Sequence, residues 1–132
     1  MRWLNSFTLL RLTVAFILIM HSVPGMFNGG IETFGKLYLD AKGFAPLGIY
    51  IAWAIKLSHV VAALCLLINR YVRLAAWVTI FILISGIVMV HALEGWYVVG
   101  GGRNGVEFNI LLIAVLLFVA YPGGFVARST TQ

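Results

Sequence analysis

The chain has 132 residues, of which 62% are hydrophobic and only 10% are charged, and its mean hydropathy is +1.03. Soluble domains are about half apolar, so this chain has too few polar side chains to cover one. We therefore expect an integral membrane protein whose main partner is the lipid bilayer. The net charge of +5 requires no nucleic acid as a partner, because the arginines fit the basic side of a membrane protein.

Four apolar stretches have the length expected of transmembrane helices, since a hydrocarbon core of about 30 Å takes roughly 20 helical residues to cross. The predicted spans lie at about residues 4–23, 45–68, 74–93 and 106–121. They predict an all-α membrane protein, a four-transmembrane-helix antiparallel bundle that forms a single domain over residues 1–132. No small-x-small cleavage pattern follows the first stretch, so we expect it to be an uncleaved helix and not a signal peptide.

The connection between the first two spans, residues 25–44, is too polar and too rich in glycine to cross the membrane. Apolar side chains nevertheless recur in it at near-helical spacing, at Ile31, Phe34, Leu37 and Tyr38. This spacing predicts a short interfacial helix between helices 1 and 2.

The distribution of charge predicts an orientation for the antiparallel spans. One side collects five arginines, which are Arg2, Arg11, Arg70, Arg73 and Arg128. The other side carries three basic residues and all four acids, which are Lys36, Lys42, Arg103, Glu32, Asp40, Glu94 and Glu107. By the positive-inside rule, both termini are expected to be cytoplasmic, in a bacterial inner membrane. The positions of aromatic residues agree with the predicted ends of the spans, because such residues favour the membrane interface. They are Trp3, Tyr50, Tyr71, Trp96, Tyr97 and Tyr121.

Three histidines fall one apiece in the first three apolar stretches, at His21, His59 and His91. Ionisable groups at membrane depth are costly and rare without a role. We therefore predict a polar ligand-binding pocket that opens toward the outer side. Its expected lining residues are His21, Lys56, His59, His91, Glu94, Arg103, Glu107 and Asn109. The alternative is that each of these side chains pairs locally and only fixes the helix register.

Lys56 lies deep within the second predicted span. An isolated buried cation is costly, so Lys56 is expected either to extend toward the outer interface or to meet Glu107 or Glu94. No catalytic residue and no metal centre are predicted. His91 and Glu94 have the spacing of metal ligands, but di-iron sites in helix bundles use about four carboxylates, and two of the four acids here lie in the outer loop.

Several short pieces resemble, in their order and spacing, the DoxX family of small four-helix membrane proteins. The resemblance runs from about residue 9 to residue 125. Its pieces are Leu9-Leu10-Arg11, Val72-Arg73-Leu74-Ala75-Ala76, His91, Gly101-Gly102 and Val106-Glu107-Phe108-Asn109. One position departs from the family, which usually has a glutamate where this chain has His59. That exchange replaces a carboxylate by an imidazole and changes the charge and proton chemistry of the site.

The resemblance implies a link to thiosulfate and quinone redox chemistry and to oxidative-stress complexes, whereas more distant relatives are cargo receptors or assembly factors. Three functions follow as hypotheses. The first is a quinone-interacting or redox-associated subunit, to which His59, His91, Glu107 and Asn109 supply hydrogen bonds and a proton route. The second, ranked lower, is a haem b protein with His21 and His91 as axial ligands. The third is a non-catalytic scaffold, assembly factor or receptor that binds a partner helix or peptide within a larger membrane complex. Whether the chain is an enzyme stays open at this point.

Overall fold

The structure is a computed structural model that describes residues 6–125. That part of the chain is helical and contains no strand. Its main helices are α1 (Ser6–Phe27), α2 (Gly48–Leu67), α3 (Val72–Glu94) and α4 (Glu107–Ala120). Three residues used in the orientation argument, Arg2, Trp3 and Arg128, lie outside the described residues.

Three of the four predicted spans are confirmed as helices long and apolar enough to cross a membrane. Their apolar segments have 21 residues in α1, 20 in α2 and 23 in α3. α4 is equally apolar but has only 14 residues. At a rise of about 1.5 Å per residue it is about 21 Å long, against a hydrocarbon core of about 30 Å. The fourth span, and with it the four-span bundle, stays a prediction.

A helical segment is present between α1 and α2, where the spacing of apolar residues predicts one. We call residues 30–42 the connecting helix. It consists of an α-helical turn, a π-helical stretch and a 3₁₀ turn, namely Gly30–Glu32, Thr33–Leu39 and Asp40–Lys42. Ile31 and Leu39 are buried in a small cluster with Ala52 of α2. The connecting helix therefore packs on the protein, while its position at a membrane interface stays a prediction.

Small and branched apolar residues pack the helices together in one half of the molecule. We call this the terminal half, because it contains the start of α1, the end of α2, the start of α3 and most of α4. Its buried cluster draws on all four helices and consists of Val14, Ala15, Leu18, Ala62, Ala63, Leu66, Ala75, Ala76, Ile80, Leu112, Leu116, Val119 and Ala120. Ala15, Ala63 and Ala76 are fully buried. Small side chains at such positions let helix backbones approach closely.

Contacts between helix ends place the start of α1 and of α3 beside the end of α4. The rings of Phe7 and Phe118 are stacked, with centroids 5.1 Å apart. The indole N–H of Trp77 donates to the hydroxyl of Tyr121 at 2.9 Å. At the opposite ends of the helices lie the connecting helix and the glycine-rich loop of residues 95–105. We call this part the loop half.

α3 is not uniformly α-helical in the loop half. It is α-helical over Val72–Gly86 and becomes π-helical over Ile87–His91. The hydroxyl of Tyr38 donates to the backbone carbonyl of Met89 at 2.8 Å, which joins the connecting helix to this π-helical turn. π-helical turns within α-helices occur frequently at functional sites. This one borders the cavities described next.

Candidate functional site

Two adjoining cavities occupy the loop half. The larger has a volume of about 680 Å³ and lies between the connecting helix, α2 and α3. The smaller, of about 210 Å³, lies between α1, α3, the glycine-rich loop and α4. Six residues line both cavities, and they are His21, His59, Leu83, His91, Asn104 and Asn109. All three histidines of the chain therefore lie where the two cavities meet.

The remaining wall of the larger cavity is mainly apolar and aromatic. The connecting helix and the residues after it contribute Phe34, Tyr38 and Phe44, while α3 contributes Phe81 and Met89. Small-molecule sites in proteins have volumes of about 300–1,000 Å³ and combine an apolar wall with a few polar groups that fix orientation. The larger cavity has this size and this composition.

His59 is the most deeply buried polar side chain of the site. It is only 2% exposed, and neither ring nitrogen has a hydrogen-bond partner within residues 6–125. Its ring packs edge-on against the ring of His21, with centroids 5.7 Å apart and an interplanar angle of 84°. Buried polar groups in native proteins are normally hydrogen-bonded, and leaving one unpaired costs about 1–3 kcal/mol. His59 is therefore a group that a bound molecule would satisfy.

Lys56 lies on the same face of α2 as His59, because residues three apart are neighbours on a helix. Its ammonium donates to the backbone carbonyl of His21 at 2.8 Å. Gly25 lies directly beside this side chain, since a Cβ there would be in ordinary van der Waals contact with the Lys56 Nζ, at 3.6 Å. Lys56 thus reaches the end of α1. The described contacts place no acid beside it, although pairing with Glu94 or Glu107 was one of the expected arrangements.

His91 and Asn109 form a second polar group on the α3 and α4 side. The Nδ1 of His91 lies 2.5 Å from the backbone carbonyl of Asn104. A carbonyl only accepts, so Nδ1 is the donor and Nε2 is left as an acceptor. Gly86 marks where the two side chains converge, because a Cβ there would be 3.8 Å from the His91 Nε2 and 4.0 Å from the Asn109 Nδ2.

Three of the eight predicted site residues do not line either cavity. Glu94 and Arg103 form an exposed ion pair with 3.4 Å between Oε2 and Nε, and such pairs contribute about 0–1 kcal/mol. The Oε1 of Glu107 accepts the backbone N–H groups of Val98 at 2.7 Å and Val99 at 3.4 Å. These contacts fix the glycine-rich loop against the start of α4. Within the described part of the chain, no group of three potential ligands is placed to hold a metal ion.

The structure adds residues that the sequence did not single out for the site. Asn104 lines both cavities and holds His91 through its carbonyl. Its φ of 53° lies in the left-handed region, which asparagine tolerates better than most residues. The Asn104-Gly105 pair is a turn signal in the sequence, but nothing in that signal connects it with His91. Tyr38, expected only as part of the apolar face of a helix, borders the larger cavity.

Comparison with known protein families gives a match to the family described as DoxX, over residues 6–92. No curated protein and no solved structure matches the chain. The matched region contains α1, the connecting helix, α2 and most of α3. It therefore includes His21, Lys56, His59 and His91, and it ends before Asn104 and Asn109.

Proposed function

The chain belongs to the DoxX family of integral membrane proteins, and we propose that it is a small quinone-binding subunit associated with a redox reaction. In this proposal α4 completes a fourth membrane span together with its flanking residues. Both termini then lie on the cytoplasmic side of a bacterial inner membrane, with the loop half toward the outer side. One observation carries the ligand assignment, which is the buried, unpaired imidazole of His59 at the edge of a largely apolar cavity.

A quinone fits the composition of this cavity. Its ring and tail are apolar and suit the aromatic wall, while its two ring oxygens need hydrogen-bond donors. Lys56, the amide of Asn109 and a nitrogen of His59 are among the donors at the cavity edge. These residues would hold the ring, and the aromatic wall would exclude water from it.

When bound, a quinone would supply two-electron chemistry that is coupled to protons. The protein would contribute groups that hold and move protons near the ring. A neutral imidazole has one donor and one acceptor nitrogen, so His59 can pass a proton in either direction. At His91 the acceptor Nε2 is the nitrogen that takes up a proton, because Nδ1 is held by the carbonyl of Asn104. An imidazole where the family usually has a glutamate therefore retains proton exchange at that position.

The test is an inventory of the small molecules that copurify with the protein from native membranes, made by mass spectrometry. Wild-type protein should retain about one quinone per chain. His59→Leu removes both ring nitrogens at similar volume and should reduce retention by about tenfold or more, equivalent to about 1.4 kcal/mol. His91→Ala should also lower it. Val61→Leu is the matched control, because Val61 is exposed on the same helix and should leave retention unchanged.

Equal quinone in wild type and His59→Leu, relative to bulk lipid, would contradict the proposal. An absence of any retained cofactor in wild-type protein would favour the scaffold or receptor role, and crosslinking in native membranes would then identify the partner.

Haem b is a second candidate, favoured by the geometry of His91. Histidine ligands of metals usually donate their other ring nitrogen to a carbonyl or carboxylate, as Nδ1 of His91 does to Asn104. His21, the other expected axial ligand, lines the same two cavities. The visible absorption spectrum of protein from haem-supplied cells decides this point. A Soret band that His91→Ala abolishes would establish haem, and a colourless preparation would exclude it.

A further inference from the structure

The polar edge of the larger cavity has a cation but no acid. Its lining includes Lys56 and all three histidines, and no Asp or Glu among residues 6–125 lines either cavity. We propose that this edge binds the anionic headgroup of an amphiphilic acid, whose apolar chain occupies the aromatic part of the cavity. This goes beyond the proposed quinone site, because a neutral quinone can accept a hydrogen bond from Lys56 but cannot neutralise its charge.

Lys56 supplies the first argument. It lies about 12 Å along α2 from Gly48, and its hydrogen-bond acceptor is a neutral group, the backbone carbonyl of His21. An ammonium has three donors, so one carbonyl leaves two of them to be satisfied. Lys56 is half-buried, and removing a cation even partly from water without a counter-charge is unfavourable. A negative charge beside Lys56 therefore stabilises the protein as well as the ligand.

The acids of the chain do not provide that charge. Asp40 accepts the backbone N–H of Gly48 at 2.9 Å, and Glu94 is paired with Arg103. Glu107 is occupied by the amides of the glycine-rich loop, and Glu32 is exposed on the connecting helix. The counter-charge must therefore come from outside the described part of the chain.

The neighbouring groups favour a carboxylate or phosphate over a cationic or purely apolar molecule. His59 has an unpaired N–H on the same helix face as Lys56, and hydrogen bonds to an ionised acceptor are roughly twice as strong as neutral ones. Two donors at one edge suit a headgroup with two or more oxygens. Because most of the remaining wall is apolar, the ligand must also carry a hydrocarbon portion, which excludes a small inorganic anion.

The experiment compares dodecanoate with dodecanol, which share a chain length and differ in charge. Both are titrated at slightly alkaline pH into the full-length protein in nanodiscs of zwitterionic lipid. Wild-type protein should bind dodecanoate about tenfold or more tightly than dodecanol. Lys56→Met should abolish this preference while dodecanol still binds, which shows that the cavity is intact. Lys56→Arg should retain it, because the positive charge is kept.

Lys36→Met is the matched control, because it removes the same charge from the exposed surface of the connecting helix. It should leave the preference for dodecanoate unchanged. Equal affinity of wild-type protein for dodecanoate and dodecanol would overturn the proposal. So would equal losses in Lys56→Met and Lys36→Met, since the preference would then be a general surface-charge effect.

Two further measurements follow. The first distinguishes a membrane lipid from a free acid as the ligand, and the second distinguishes this proposal from the quinone proposal. Adding an anionic phospholipid to the nanodiscs should weaken dodecanoate binding if membrane lipid is the natural occupant, and leave it unchanged if a free acid is. Quinone retention is measured in parallel on wild-type protein, because Lys56 is itself one of the donors offered to the quinone. A dodecanoate preference in wild-type protein that retains no quinone would support the anion site and contradict the quinone proposal, whereas retained quinone without that preference would do the reverse.

Discussion

The terminal half and the loop half of this protein are formed by the same four helices, yet one is closely packed and the other contains two cavities. In the terminal half, alanines from three helices are fully buried against leucine and valine side chains. In the loop half, histidine, asparagine and aromatic residues surround about 680 Å³ of open volume. Small apolar residues on facing helices bring backbones together, while polar and aromatic residues beside glycines leave space between them.

Buried polar side-chain atoms without a described partner occur in both halves, in Arg11 and Thr79 as well as in Ser22 and His59, but of these four residues only His59 lines the cavities. His59 lies in the loop half with both ring nitrogens unpaired within the described ranges. Close packing stabilises the terminal half, and we infer that the loop half gives up stability in exchange for a binding site. Three experiments test this division, and they are ordered by the size of the expected effect.

Leu116→Ala and Leu83→Ala remove the same atoms from the two halves. Leu116 is fully buried in the terminal half, so its truncation should create a new void and lower the free energy of unfolding by about 2–5 kcal/mol. Leu83 is only partly buried and already lines both cavities, so its truncation should cost clearly less than that of Leu116, below about 2 kcal/mol. Unfolding by a denaturing detergent measures both values. Equal losses would contradict the assignment of a packed and a hollow half.

His59→Leu should raise the free energy of unfolding, whereas the two leucine truncations lower it. In ligand-free protein the substitution replaces an unpaired buried imidazole by an apolar side chain of similar volume, so stability should rise by about 1–3 kcal/mol. The same detergent unfolding experiment measures the change. A clear loss of stability would show that His59 makes a structural interaction, and would remove the main argument for a ligand at this position. Val61→Leu, on the exposed side of α2, is again the control.

Tyr38→Phe should have the smallest effect of the three. It removes the hydrogen bond to the Met89 carbonyl, worth about 0.5–1.5 kcal/mol. Amide hydrogen exchange should therefore become faster in residues 30–42, with little change in the terminal half. Tyr50→Phe is the control, because Tyr50 is exposed near the start of α2. Unchanged exchange in Tyr38→Phe would mean that this bond does not hold the connecting helix against α3.

The sequence predicts the long helices well, because an apolar stretch of about 20 residues permits few other structures in a membrane protein. It is less accurate where the helix type changes. Phe34 and Tyr38 pack against the buried cluster of the connecting helix, whereas Leu37, which the spacing groups with them, is 74% exposed. The segment Thr33–Leu39 is π-helical, and its i→i+5 pattern rotates side chains away from the faces that α-helical spacing assigns.

The sequence predicted the residues near the cavities best where helix geometry alone fixes the position of a residue along the helix axis. His21, Lys56, His59, His91 and Asn109 lie on helices, and all five reach the cavities. Predictions near the glycine-rich loop depended on how that loop folds back. There the backbone N–H of Val106 donates to the carbonyl of Gly95 at 3.1 Å, and the carboxylate of Glu107 binds loop amides. Hydrogen bonds of this kind leave no periodic pattern in a sequence.

The central claim is that a quinone occupies the larger cavity beside His59, and photo-crosslinking with an azido-quinone in native membranes tests it most directly. We expect the label on peptides that line the cavity, around His59 and in the connecting helix, and we expect excess unlabelled quinone to suppress it. Labelling of the exposed face of α2, at Val61 and Leu64, that excess quinone does not reduce would contradict the claim.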